Sequence, residues 1–282
     1  MSERLCRGVW RNVPGAAAVL MFIAASAAGG IAGAGASVRA PPLIELVGTR
    51  LRARLADGSV REGAALVGGV LTLSAGDRIL RVRLVGIDGA SHDSDRQIWL
   101  YDFRVVATSG AEQPLCEPDS DGRRFALPIA GRSDGAGILT APESGAIELV
   151  CTSSPQGKCV RLGYAPWRRG SDGRPMLDWY NACVRMMRGD YCGDGQPFTR
   201  NGTRIEIYDH VGVRRPGRNR SFRFEAAWDS RGAVCVAHTR IPELIELDDL
   251  VRRCPRLAGR LGPGCDDHFS GGLIFNRSQR GG

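Results

Sequence analysis

The residues best able to do chemistry gather in one stretch, Asn181 to Gly195 (NACVRMMRGDYCGDG). It holds Cys183, Cys192, Asp190, Asp194 and Tyr191. Three chemistries are open to it. The first is metal binding: Asp190-Tyr-Cys-Gly-Asp194-Gly195 loosely matches a calcium loop, with acids at positions 1 and 5 and glycine at 6. Position 3 is Cys192 and position 12 is Asn201, so the EF-hand ligand set fails. The second is hydrolysis, with His210 or His238 as base and Asp190, Asp209 or Glu225 as partner. No G-x-S-x-G, H-E-x-x-H, S-x-x-K or phosphate-cradling loop accompanies them. The third is redox exchange, but Cys183 and Cys192 are spaced as in no thiol-oxidoreductase motif.

Local structure explains the same residues more simply. Asp190 is expected to cap amides in a tight turn after a helix, and Asp194-Gly195 to form a second turn. Asp119-Ser-Asp121-Gly122 reads the same way. No catalytic residue, metal or cofactor is therefore assigned. Arg188, Asp190, Tyr191, Cys192 and Asp194 are weak site candidates. Tyr191, Trp228, Trp179 and Trp167 could make a carbohydrate or peptide platform, with core packing the expected fate of Trp179 and Trp228. Arg214, Arg215, Arg218 and Arg220 form the best exposed basic cluster, in a loop rich in Pro, Gly and Asn.

The elements that must position these residues are mostly strands. From Leu43 to about Arg132, alternating runs such as Leu51–Leu55, Ile79–Val85 and Trp99–Val106 are punctuated by Asp57-Gly58 and Asp88-Gly89. Evenly spaced short strands predict an antiparallel β-sandwich or barrel. Gly131 to Gly145 is turn-rich and reads as a bridge between halves. Ala146–Cys151 and Cys159–Tyr164 read as two strands, which could set Cys151 opposite Cys159 across a hairpin. Pro175 to Arg188 carries Leu177, Tyr180, Val184 and Met187 on one face and predicts the main helix, stopped by Gly189. Ser221–Trp228 and Ala233–His238 predict a hairpin. Pro242 to Cys254 predicts a second helix, with Leu244, Leu247, Val251 and Cys254 on its face. The tail from Gly259 is expected to be loosely ordered unless Cys265 pins it.

The beginning of the chain reads as an export signal. Arg4, Arg7 and Arg11 precede an apolar run from Ala16 to Ala27, and Ala34-Gly35-Ala36 suits cleavage. An uncleaved anchor is the alternative; no later stretch could span a bilayer. Cys6 lies in this segment. The other eight cysteines, Cys116, Cys151, Cys159, Cys183, Cys192, Cys235, Cys254 and Cys265, include no C-x-x-C pair, which favours disulfides over zinc. Lys158 is the only lysine, so the formal charge of +8 is carried almost wholly by arginine. An anionic envelope polymer or protein is a possible partner. Nucleic acid is not expected, since no basic run is interleaved with aromatics in the usual recognition patterns.

The second half, roughly Ile147 to Leu257, resembles the ADYC domain, an uncharacterised bacterial family named for an Ala-Asp-Tyr-Cys motif. The matching residues are Arg188-Gly-Asp-Tyr-Cys-Gly-Asp-Gly195, Thr199–Thr203, Ile207–Asp209, Phe224–Trp228, Val234–Val236 and Cys254–Leu257. Gly189 stands where the naming alanine would be. The resemblance implies an exported domain and no particular activity. The expectation is thus a β-rich α+β protein: signal peptide 1–36, β-rich domain 37–140, cysteine-rich domain 141–258 with one main helix on antiparallel strands, and flexible tail 259–282. Its expected location is periplasmic, outer-surface or extracellular. The leading functional expectation is a non-catalytic envelope or extracellular binding or structural module; the alternative is a hydrolase or metal-dependent enzyme with a site near Asp190 and Asp194.

Overall fold

A computed structural model describes residues 42–75, 78–89, 98–140 and 146–279. The export signal expected at 1–36 lies outside them. Alternating apolar residues give strands because successive side chains point to opposite faces of a pleated backbone. β1 (Leu43–Val47), β2 (Arg50–Arg54) and β3 (Val60–Glu62) form a three-stranded antiparallel sheet. β4 (Val70–Ala75), β5 (Arg78–Gly89), β6 (Trp99–Val106), β7 (Glu112–Pro114), β8 (Ala126–Ala130) and β9 (Ile147–Cys151) form a second antiparallel sheet. Its order is β4-β5-β6-β8-β9, with β7 on β6. Leu71, Leu73, Val82, Leu84, Tyr101 and Phe103 point inward and meet Leu51, Ile44 and Leu46 of the small sheet. Leu51 N also donates to the Tyr101 hydroxyl at 2.9 Å, tying the two sheets together.

The expected division at residue 140 falls between β8 and β9, which pair in register from Ala126↔Cys151 to Ala130↔Ile147. The apolar core continues across it as well. Ile98, Leu100, Leu127, Ile129 and Val150 share one cluster with Trp179, Tyr180, Val184, Met186 and Trp228.

Two helices follow β9: α1 (Pro155–Arg161) and α2 (Leu177–Arg188). β10 (Ile205–Asp209), β11 (Arg223–Asp229), β12 (Gly232–Val236), α3 (Leu247–Arg253) and β13 (Ile274–Ser278) complete the order. The third sheet runs β10-β13-β11-β12 and is antiparallel throughout. α2 buries Trp179, Tyr180, Ala182, Cys183, Val184 and Met186. Each large apolar side chain so covered stabilises the fold by about 1.5–3 kcal/mol. Asn181 fixes the helix's position: its side chain accepts from Leu139 N and donates to Leu139 O, both at 2.9 Å.

Four expectations need correction. Cys159–Tyr164 is not a strand; Cys159 lies in α1, which Ser154 caps by accepting from Gly157 N at 3.2 Å, with Pro155 in the first turn. Cys151 and Cys159 therefore do not face each other across a hairpin. The second helix is shorter than 242–254 and turned: Leu250 is buried, whereas Leu244 and Val251 are exposed. The tail is not loose over its described residues to 279, because Cys265 is bonded to Cys235, the exception allowed for, and β13 lies between β10 and β11.

Four disulfides pair the eight cysteines: Cys116–Cys151, Cys159–Cys183, Cys192–Cys254 and Cys235–Cys265. The loops they close run from 24 to 62 residues. In the chain-entropy account each bridge stabilises by about 3–4.5 kcal/mol. Such pairing fits an oxidising compartment. Among the described residues no helix is long and apolar enough to cross a membrane.

Candidate functional site

The candidate site grows out of the end of α2. Gly189 takes φ 61° and ψ 33°, and its N–H and that of Asp190 return to the carbonyls of Met186 and Arg185. This left-handed stop turns the chain away from the helix axis. Asp190 is fully buried immediately beyond it. One oxygen of its carboxylate accepts from Gly193 N at 2.9 Å, the other from Gly195 N at 3.0 Å. The same carboxylate pairs with the Arg185 guanidinium. Arg188 donates to Gly195 O at 2.6 Å and holds the far side of the turn. Gly193 approaches the turn between β11 and β12 so closely that an added Cβ would lie 1.7 Å from Arg231 O.

Tyr191 enters the core. Its ring stacks on Trp228 with centroids 5.1 Å apart, and on Phe198 at 6.3 Å. Its hydroxyl donates to Glu225 Oε1 at 3.0 Å and accepts from Arg240 N at 3.0 Å. Burial, reinforced by the Glu225 charge, pushes the phenol far above its ordinary range. Glu225 sits where the β11–β13 register shifts, and such an irregularity re-aims a side chain. It receives the Arg240 guanidinium at 2.8 Å and Asn276 Nδ2 at 2.7 Å. Asn276 Oδ1 accepts from Trp228 Nε1 at 2.8 Å, and Arg240 Nη2 donates to Met186 O at 2.8 Å, near the end of α2. Five side chains from α2's turn, β11, β13 and the segment after β12 thus share one buried polar network.

The remaining candidates have separate partners. Cys192 is bonded to Cys254, just beyond α3. Asp194 accepts from Gln196 N at 2.9 Å and pairs with Arg253 at 3.0 Å on the surface. Asp209 accepts from the Tyr164 hydroxyl at 2.8 Å and from the amides of Val211, Val213 and Arg214. His210 is exposed against the Phe275 ring, and His238 Nε2 lies 3.1 Å from Ser278 Oγ. Asp190, Asp194, His210 and His238 therefore contact different groups, and no contact between any two of them is seen among the described residues. Among the described residues no group of three or more His, Cys, Asp or Glu could hold a metal ion. Trp179, Trp228 and Tyr191 are core residues, not an exposed platform.

Asp119 repeats the pattern in the first half. Burial alone would raise its carboxyl. The amides of Arg123 and Asp121, the Thr152 hydroxyl and the Arg161 guanidinium together hold it below the ordinary aspartate value. Arg240 and Asn276 are the members of the buried network that sequence reasoning missed. Arg240 follows a strand with no pattern of its own, and Asn276 lies in the segment read as tail. The one signal was Glu225, a lone acid inside the apolar run Phe224–Trp228.

A family model described as the ADYC domain matches residues 63–242. The chain belongs to the ADYC domain family. The match reaches well before Ile147 and takes in β4 to β9, the strands whose sheet and core join the two halves. No curated protein and no solved structure matches the chain.

Proposed function

We propose that this ADYC domain protein is exported and serves as a non-catalytic binding or structural module of the cell envelope or extracellular space. The observation that carries this reading is the consumption of the family motif by the fold. Asp190 holds a turn and Tyr191 holds a network, both fully buried, and the half-buried Cys192 has its sulfur committed to a disulfide. A reacting group must reach its substrate, and these reach only their own chain. Export is supported by the basic and apolar beginning of the sequence and by four disulfides.

The test is fractionation of a bacterial host expressing the full chain with a C-terminal tag. The expected result is recovery outside the cytoplasm with the eight cysteines from Cys116 to Cys265 oxidised. Recovery in the cytoplasm with those thiols free would overturn the reading.

A further inference from the structure

We infer that the loop joining β10 to β11 is a docking surface for an acidic polysaccharide, a linear sugar polymer with repeated carboxylates. The inference rests on the proposed binding-module reading and names the partner's chemistry. Between Val211 and Phe224 the chain places Arg214, Arg215, Arg218, Arg220 and Arg223 with no acidic residue among them. None of the five forms an ion pair among the described residues. Elsewhere arginines commonly meet carboxylates, as Arg52, Arg83, Arg161 and Arg185 do. Like charges held together repel one another, so this concentration stands ready for an anion from outside.

The loop is held in shape at both ends. Asp209 gathers the amides of Val211, Val213 and Arg214 at one end. At the other, Glu206 accepts from Asn219 N at 3.3 Å, Asn219 Oδ1 accepts from Ser221 N at 3.0 Å, and Phe222 is buried. Arg218, Arg220 and Arg223 join Arg277, Phe222 and Phe224 around an open groove of about 630 Å³. An open groove suits a chain lying along it better than an enclosed small molecule.

The lining selects among anionic chains. Guanidinium forks pair with carboxylate or phosphate oxygens. Phe224, only partly buried in the groove wall, adds an apolar surface for the C–H face of a sugar ring, which polyphosphate lacks. Membrane insertion needs exposed large apolar side chains; among the described residues these are Leu43, Val47, Val60, Val67, Ile79, Val85, Leu244 and Val251, all outside the loop.

The test is affinity electrophoresis of the oxidised full chain through gels containing polygalacturonate. The wild type should be retarded, and added salt should release it. The variant Arg218→Gln/Arg220→Gln/Arg223→Gln should bind at least about ten-fold more weakly, a loss of about 1.4 kcal/mol or more. A control, Arg61→Gln/Arg81→Gln/Arg200→Gln, removes three exposed charges elsewhere and should stay within about two-fold of wild type. Circular dichroism like wild type establishes that both variants fold. Equal losses in the two variants, equal binding to fully methyl-esterified polymer, or tighter binding to polyphosphate, single-stranded DNA or phosphatidylglycerol vesicles would overturn the inference. Absence of polymer binding by a correctly exported protein would sink this inference alone; cytoplasmic recovery would sink the module reading.

Discussion

Replacing Arg240 with methionine removes the cation from a buried carboxylate while keeping much of the side-chain volume. The wild-type pair is almost entirely sequestered, with the side chains of Arg240 and Glu225 exposed by 1% and 0%. Glu225 would keep Tyr191 and Asn276 as donors, and Met186 O would lose the Arg240 bond. Stranding one member of a buried pair costs about 3–5 kcal/mol. For a chain of this size that corresponds to a melting temperature lower by roughly 6–20 °C. Thermal unfolding of the oxidised protein, followed by circular dichroism, measures it. Adding Glu225→Gln should restore part of the loss, because no uncompensated charge then remains, giving a coupling of about 2 kcal/mol in the double-mutant cycle. A loss below about 1 kcal/mol for Arg240→Met, or strict additivity of the two changes, would refute the claim that this network anchors the motif.

Gly193→Ala should cost about 2–4 kcal/mol, since Gly193 has φ 75° and its new methyl would meet Arg231 O. Gly122→Ala has φ 77° but open space, and should cost only about 1–2 kcal/mol; equal denaturation midpoints would contradict the packing argument. Glu148 is pushed above the ordinary glutamate value by burial, against the opposing bonds from Ser133. The folded state therefore holds that proton more tightly than the unfolded chain. The resulting stabilisation is present below the unfolded-state pKa and is lost as pH rises through the folded-state pKa. Glu148→Gln should gain in melting temperature relative to wild type as pH rises from about 4 to 8. A difference independent of pH would show that the carboxyl is not titrating in that environment.

Where the sequence was legible, the controlling forces were local. The face formed by Tyr180 and Val184 and the stop at Gly189 mark α2, whose observed extent is Leu177–Arg188. Alternation in Ile79–Val85 marks β5 because Val82 and Leu84 must turn inward. α1 was misread through its apolar Cys159-Val160, although Ser154-Pro155 carried a helix-start signal. β13 was missed because glycines before it resemble a tail, and only pairing with β10 and β11 gives Ile274–Ser278 a purpose. The buried network is illegible for a deeper reason. Tyr191, Glu225, Arg240 and Asn276 are brought together by tertiary packing across a span from 191 to 276, and no local spacing encodes that meeting.

The central claim is that the family motif fastens the fold and does not present a reactive group. Peptide mapping of the native protein by mass spectrometry, without reduction and after thiol blocking, tests it most directly. The account predicts the linkages Cys116–Cys151, Cys159–Cys183, Cys192–Cys254 and Cys235–Cys265. A free Cys192 that takes up the blocking reagent, or a Cys183–Cys192 bond, would contradict it.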